Sequence, residues 1–232
     1  MTLSADLAAE AKAILSGNWT EQTTTGVPAP TDLLLNSNHA KQLESATVLY
    51  ADLDGSTQMV DGYKWWFAAD IYKIYLRSAA RIIRGEGGTI TAYDGDRVMA
   101  VFVGDYKNTS AVKAALKINW AVEEILRPLI KNTYPNDSFV LKHVVGIDTS
   151  SLYAARVGVK GDNDIVWIGR AANYAAKLCT LSEAPLWITK AVYSRIADEV
   201  KLSNGVAMWA PHLWTNMNKM EIFCSTYRWK IS

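Results

Sequence analysis

A two-residue turn signal flanked by strand-forming runs constrains the middle of this chain. Asp94-Gly95 lies between Thr89–Tyr93 and Arg97–Phe102 in the segment TITAYDGDRVMAVF. An Asp-Gly pair between such runs closes a tight antiparallel hairpin. With Asp94 and Gly95 as the turn, Tyr93 becomes the cross-strand neighbour of Asp96, and Ala92 that of Arg97. Long segments of helical period bracket the hairpin. Lys64 to Ile83 carries apolar residues at helical spacing and stops at Gly85. The second runs from about Ser110 to Ile130, with Thr109 or Ser110 as N-cap and Pro135 beyond its end. A buried strand, Ala46–Thr57 (ATVLYADLDGST), precedes the first helix, and Phe139–Asp148 (FVLKHVVGID) follows the second.

The order is β-α-β-β-α-β, an α+β, ferredoxin-like (split βαβ) plan with a mostly antiparallel sheet and helices on one face. Strands Leu152–Val157, Asp164–Ile168, Leu186–Thr189 and Glu221–Trp229 and a helix over Ala171–Leu181 extend it. Upstream, Ala5–Leu15 reads as a short helix and the Thr/Pro-rich Thr20–Pro30 as linker. Residues 1–44 are therefore expected to form a helix-and-linker extension, and 45–232 the main domain. With half of its 232 residues hydrophobic, the chain can fill such a core. A net charge of +1 gives no electrostatic case for nucleic acid or a membrane surface, and no apolar run approaches the length of a span. The early acidic residues do not suit a secretory signal, and Cys179 and Cys224 suit neither a disulfide framework nor a zinc site. A cytoplasmic protein is the simplest expectation.

Chemistry enters through carboxylates. Asp52 and Asp54 end the first strand just before Gly55-Ser56-Thr57. Strand alternation puts Tyr50 and Asp52 on one face, about 7 Å apart. Carboxylates at the ends of apolar strands are costly unless a cation compensates them. If the hairpin lies beside the first strand, Asp52 and Asp96 converge on a pair of Mn²⁺ or Mg²⁺ ions, which can activate an attacking oxygen and stabilise a leaving one. The plainer alternative is a simple turn and a helix-capping Asp52. A third segment, Gly169–Leu178 (GRAANYAAKL), puts Arg170, Asn173 and Lys177 on one helix face, where the positive helix end suits phosphate. An Ala-rich packing helix with a polar exposed stripe reads the same way.

Together, VLYADLDGST, YDGDRVMAVF and IGRAANYAAKL resemble, in order and spacing, the motifs of class III nucleotidyl cyclases over about Ser45–Trp229. The resemblance implies that Asp52 and Asp96 bind two metal ions, with the Leu53 carbonyl assisting. It implies that Asn173 orients the ribose. Lys177 would stabilise the α-phosphate as the 3′ hydroxyl attacks and pyrophosphate leaves. It also implies a homodimer, each site combining the carboxylates of one subunit with the Asn helix of the other.

Three positions depart from that family. Lys177 stands where it carries arginine, and lysine lacks the planar fork, which Arg170 is a candidate to supply. Ala92 and Val166 stand where purine cyclases carry base-reading side chains, and neither can hydrogen-bond a base. Tyr50 and Arg97 are the candidate replacements: aromatic bulk that narrows a pocket to a single ring, and a donor suited to the two carbonyls of uracil. Core packing for Tyr50 and an ion pair for Arg97 are the plainer alternatives. The combination resembles the stand-alone pyrimidine cyclases of bacterial anti-phage (Pycsar) systems. That implies UTP or, alternatively, CTP as substrate, and a cyclic nucleotide that acts on a separate effector protein. A purine cyclase with relocated base contacts and a degenerate nucleotide-sensing domain are the other readings.

Overall fold

In the computed structural model, which describes residues 2–231, α1 (Leu3–Ser16) and β1 (Thr20–Thr23) lead into β2 (His39–Asp54). Then come α2 (Ser56–Gly62), α3 (Trp65–Gly85), β3 (Thr89–Asp94) and β4 (Arg97–Phe102). Next, α4 (Lys107–Ala121) continues through a π-helical turn at Val122–Leu126 into α5 (Arg127–Thr133). The long hairpin of β5 (Lys142–Val159) and β6 (Asp162–Ile168) precedes α6 (Arg170–Leu178), β7 (Leu186–Thr189) and α7 (Lys190–Tyr193). A two-rung ladder of β8 (Leu202–Ser203) and β9 (Val206–Ala207), then β10 (Ala210–Trp214) and β11 (Met220–Ser225), complete the chain.

The main sheet runs β10-β11-β7-β5-β2-β4-β3, with β1 beside the start of β2 and β6 beside the far half of β5. Among the described residues only β1·β2 and β5·β7 pair in parallel. The strand expected from Ala46 already starts at His39, and the supposed linker contributes β1, whose Thr20 pairs with His39. Neither was legible locally, since both depend on β5 extending far enough to pair with Ala40 through Ala155. The two strands expected over Phe139–Val157 are one, because Thr149 and Ser150 keep the ladder through their pairing with Thr47 and Ala46.

Alternation on β2 and β4 divides the core. Leu49, Ala51, Leu53, Val98, Ala100 and Phe102 face α3 and α4. On α3 the buried Phe67, Ile71, Tyr75, Ala79 and Ile83 recur every fourth residue and form one stripe. The helix ends where Gly87 takes φ +84 and Gly88 donates to Ile83 O. Val48, Met99 and Val101 face the other way, onto α6. Helices therefore cover both faces, not one as expected. The cause is the close approach of α6: its buried Ala171, Ala172 and Ala175 lie flat on the sheet over Gly146, where an added Cβ would sit 2.2 Å from Ala175 O. Among the described residues no helix is long and apolar enough to cross a membrane.

Candidate active site

The β3–β4 hairpin closes one residue later than the turn signal suggests. Asp94 pairs with Arg97, Tyr93 with Val98 and Ala92 with Met99, so Gly95 and Asp96 form the turn. Gly95 takes the positive φ of +62 that glycine tolerates best. An opposite-charge pair on the last rung, Arg97 to Asp94, is favoured over the Tyr93–Asp96 rung expected. A bulge at Thr91 absorbs the extra residue between Ile90 and Ala92. Asp96 thus stands at the tip of the turn.

There it lies within electrostatic reach of Asp52. Burial, then repulsion from Asp96, pushes the Asp52 carboxyl up to about 6, against the pull of Arg97 and a hydrogen bond from the Leu53 N–H. Arg97 already serves Asp94, so this corner is short of positive charge. Two carboxylates and the Leu53 carbonyl are hard oxygen donors of the kind Mg²⁺ and Mn²⁺ take. No group of three or more His, Cys, Asp or Glu side chains suited to a metal occurs among the described residues. The chain's own donor set suits a metal whose shell is completed by the phosphate oxygens of a substrate.

A cavity of about 270 Å³ opens beside this corner, lined among others by Tyr50, Ala92, Arg97, Val166, Trp167 and Asn173. Both positions that lack a base reader are in it, and so are both candidate replacements. The Tyr50 hydroxyl sits 3.0 Å from Met99 Sδ, and the Arg97 guanidinium lies 5.6 Å from the Tyr50 ring centroid. Burial raises the Tyr50 pKa, so the phenol keeps its proton. Arg97 donates to Asp94 through Nε and Nη2. Trp167 was missed in the sequence. The alternation of Asp164–Ile168 was the available signal, since it sets Ile165 and Trp167 on the same, inward face of β6.

Asn173 reaches the cavity from the exposed side of α6. Lys177 does not line it: its Nζ extends along the surface to within 3.8 Å of Met217 Sδ. Arg170, the candidate fork, is already engaged by groups of its own chain. Its Nε and Nη2 donate to Asp148 at 3.0 and 3.3 Å, and Nη2 also reaches Thr149 O at 2.7 Å. Asp148 is fully buried and also accepts from Thr189 Oγ1. In this chain Arg170 fastens the start of α6 to β5 and stacks over Tyr174. Neither Asp52 nor Asp96 lines the cavity either. One chain thus carries two partial sites, a carboxylate corner and a pocket with Asn173 at its rim.

No protein-family model matches the chain. It is 58% identical over 231 residues to a uridylate cyclase of Burkholderia cepacia, covering 100% of both chains. A uridylate cyclase of Xanthomonas perforans is 54% identical over 94% of each chain, and one of Rhodovulum sp. (strain MB263) 35% identical over 98% of this chain and 97% of that one. Among solved structures, the adenylyl cyclase CyaB from P. aeruginosa superposes with a TM-score of 0.64 at 21% identity, over 80% of this chain and 95% of that one. The guanylate cyclase domain of RhGC from Catenaria anguillulae, in complex with GTP, gives 0.66 at 18% identity, over 82% and 100%. At such identities the two structures speak for the fold alone.

Proposed function

The chain belongs to the uridylate cyclase family, on the class III nucleotidyl cyclase fold, and from that premise we propose that it converts UTP to 3′,5′-cyclic UMP and pyrophosphate. The observation that carries the substrate is the cavity. Its two purine-reading positions are the apolar Ala92 and Val166, while Tyr50 and Arg97 converge on the same space. Arg97 spends Nε and Nη2 on Asp94, and its remaining edge can donate to a uracil carbonyl. When that carbonyl is the one at ring position 4, cytosine presents an amino group in its place and would meet donor with donor. CTP is therefore the second substrate, not the first.

In this reading Asp52, Asp96 and the Leu53 carbonyl hold two Mn²⁺ or Mg²⁺ ions. When bound, the ions activate the attacking oxygen and neutralise the leaving phosphate. Asn173 hydrogen-bonds the ribose and aims the 3′ hydroxyl at the α-phosphorus. The 3′ oxygen bonds the α-phosphorus and gives up its proton to solvent, while the bond from the α-phosphorus to the bridging oxygen breaks and pyrophosphate leaves with that oxygen. Lys177 swings from the surface to the charge that builds on the α-phosphate. Arg170 holds α6, and with it Asn173, at a fixed height above the sheet.

The catalytic unit is a homodimer with two composite sites, the carboxylate corner of one protomer facing the Asn173 helix of the other. That neither Asp52 nor Asp96 lines the cavity that Asn173 reaches supports this. The product is read as a cytoplasmic second messenger that activates a separate effector protein in defence against phage, a role supported by the resemblance of the three motifs to the Pycsar cyclases. The enzymatic reading is tested by incubating the protein with UTP and Mn²⁺. Cyclic UMP and pyrophosphate in equal amounts are expected; intact UTP, or linear UMP as product, would overturn it.

A further inference from the structure

The pairing of β4 with β2 runs from Thr47↔Phe102 to Ala51↔Val98 and stops one residue short of Asp52. Asp52 remains in register with Val144 on β5, but on its other side the ladder has ended. Tyr75 of α3 reaches this point through the core and donates its hydroxyl to Asp52 O at 3.1 Å. Its side chain is fully buried and packs beside the ring of His143, 5.9 Å away. The peptide unit it grips is rigid and planar. That unit joins the Cα atoms of Asp52 and Leu53, from which the Asp52 carboxylate and the Leu53 carbonyl depart.

We infer that Tyr75 is a positioning residue for the carboxylate corner: by fixing the Asp52–Leu53 peptide plane it aims the Asp52 carboxylate and the Leu53 carbonyl at the metal ions. Sealed in the core, Tyr75 touches neither substrate nor metal. The inference rests on the reading of Asp52 and Leu53 as metal ligands. Ligands whose supporting hydrogen bond is lost bind metal more weakly, by about tenfold or more. Phenylalanine at this position keeps the ring in its packing and removes only the donor.

The test is Mn²⁺ binding, followed by the paramagnetic resonance signal of the free ion, to wild type, Tyr75→Phe and Asp52→Ala in the presence of 3′-deoxy-UTP, which cannot cyclise. Tyr75→Phe is expected to weaken Mn²⁺ binding about tenfold, with the KM for UTP at saturating Mn²⁺ unchanged. Wild-type Mn²⁺ affinity in Tyr75→Phe, with loss in Asp52→Ala, would overturn the positioning role and leave the metal reading standing. Wild-type affinity in Asp52→Ala would overturn the metal reading itself.

Discussion

Tyr50 and Asp52 lie two residues apart on one face of β2, yet their surroundings are opposites. Around Tyr50 the groups are matched: Arg97 is paired with Asp94 and stacked on the Tyr50 ring, whose hydroxyl rests on Met99. Around Asp52 they are not. Burial and Asp96 press its carboxyl up to about 6, and among the described residues no group of three or more acidic, imidazole or thiol side chains is suited to a metal. The difference separates two tasks. In the proposed function the pocket selects the base with side chains already paired in the folded chain. The corner, in the same reading, reacts only when a divalent ion and a triphosphate supply the charge it lacks.

The largest effect is expected where the corner is broken. Asp52→Ala or Asp96→Ala should lower turnover by about a thousandfold, since a bound ion contributes several kcal/mol of transition-state stabilisation. Turnover near wild type in either variant would remove the metal role of that residue. The next effect joins the two regions across protomers. Asp52→Ala and Asn173→Ala chains, each inactive alone, should recover about a quarter of wild-type turnover when mixed equally. Half of random dimers are mixed, and each mixed dimer has one intact site. No recovery, with exchange of subunits demonstrated, would mean that each chain builds its own site.

In the pocket, Tyr50→Ala should relax the preference for UTP over ATP by about ten- to a hundredfold, with a smaller fall in turnover of UTP. An equal loss for every nucleotide would make Tyr50 a packing residue. The smallest effect is on stability. A carboxyl whose folded pKa of about 6 exceeds its ordinary value destabilises the fold as pH rises through that range. In metal-free protein Asp52→Asn should therefore raise Tm at pH 7 by about 2–4 °C, after allowance for the part of Asp52 that solvent screens. At pH 4 the gain should vanish, and a gain equal at both values would deny the shift. His143 runs the other way. Burial and Arg127 hold its imidazole down to about 3, so its contribution is present above its ordinary pKa and is lost as pH falls below it.

Much of the corner was legible because its signals are local. Alternation on β2 put Tyr50 with Asp52, and the hairpin was marked by Asp94-Gly95, though the turn fell on Gly95-Asp96 once Arg97 paired with Asp94. What was not legible depends on distant partners. Nothing near Arg170 announces that its guanidinium will meet Asp148, 22 residues earlier. The face on which α6 packs is set by Gly146 on another strand. The tie from Tyr75 to Asp52 O spans 23 residues and a whole helical layer. Trp167 was within reach of the period-two pattern of β6, but it carries no charge and drew no attention.

Selection by the pocket and reaction at the corner meet in one measurement: the products formed from an equimolar mixture of UTP, CTP, ATP and GTP with Mn²⁺, resolved by mass. Cyclic UMP should dominate, with cyclic CMP the next product. Cyclic AMP or cyclic GMP as the main product would contradict the assignment of Tyr50, Ala92, Arg97 and Val166 to a pyrimidine pocket.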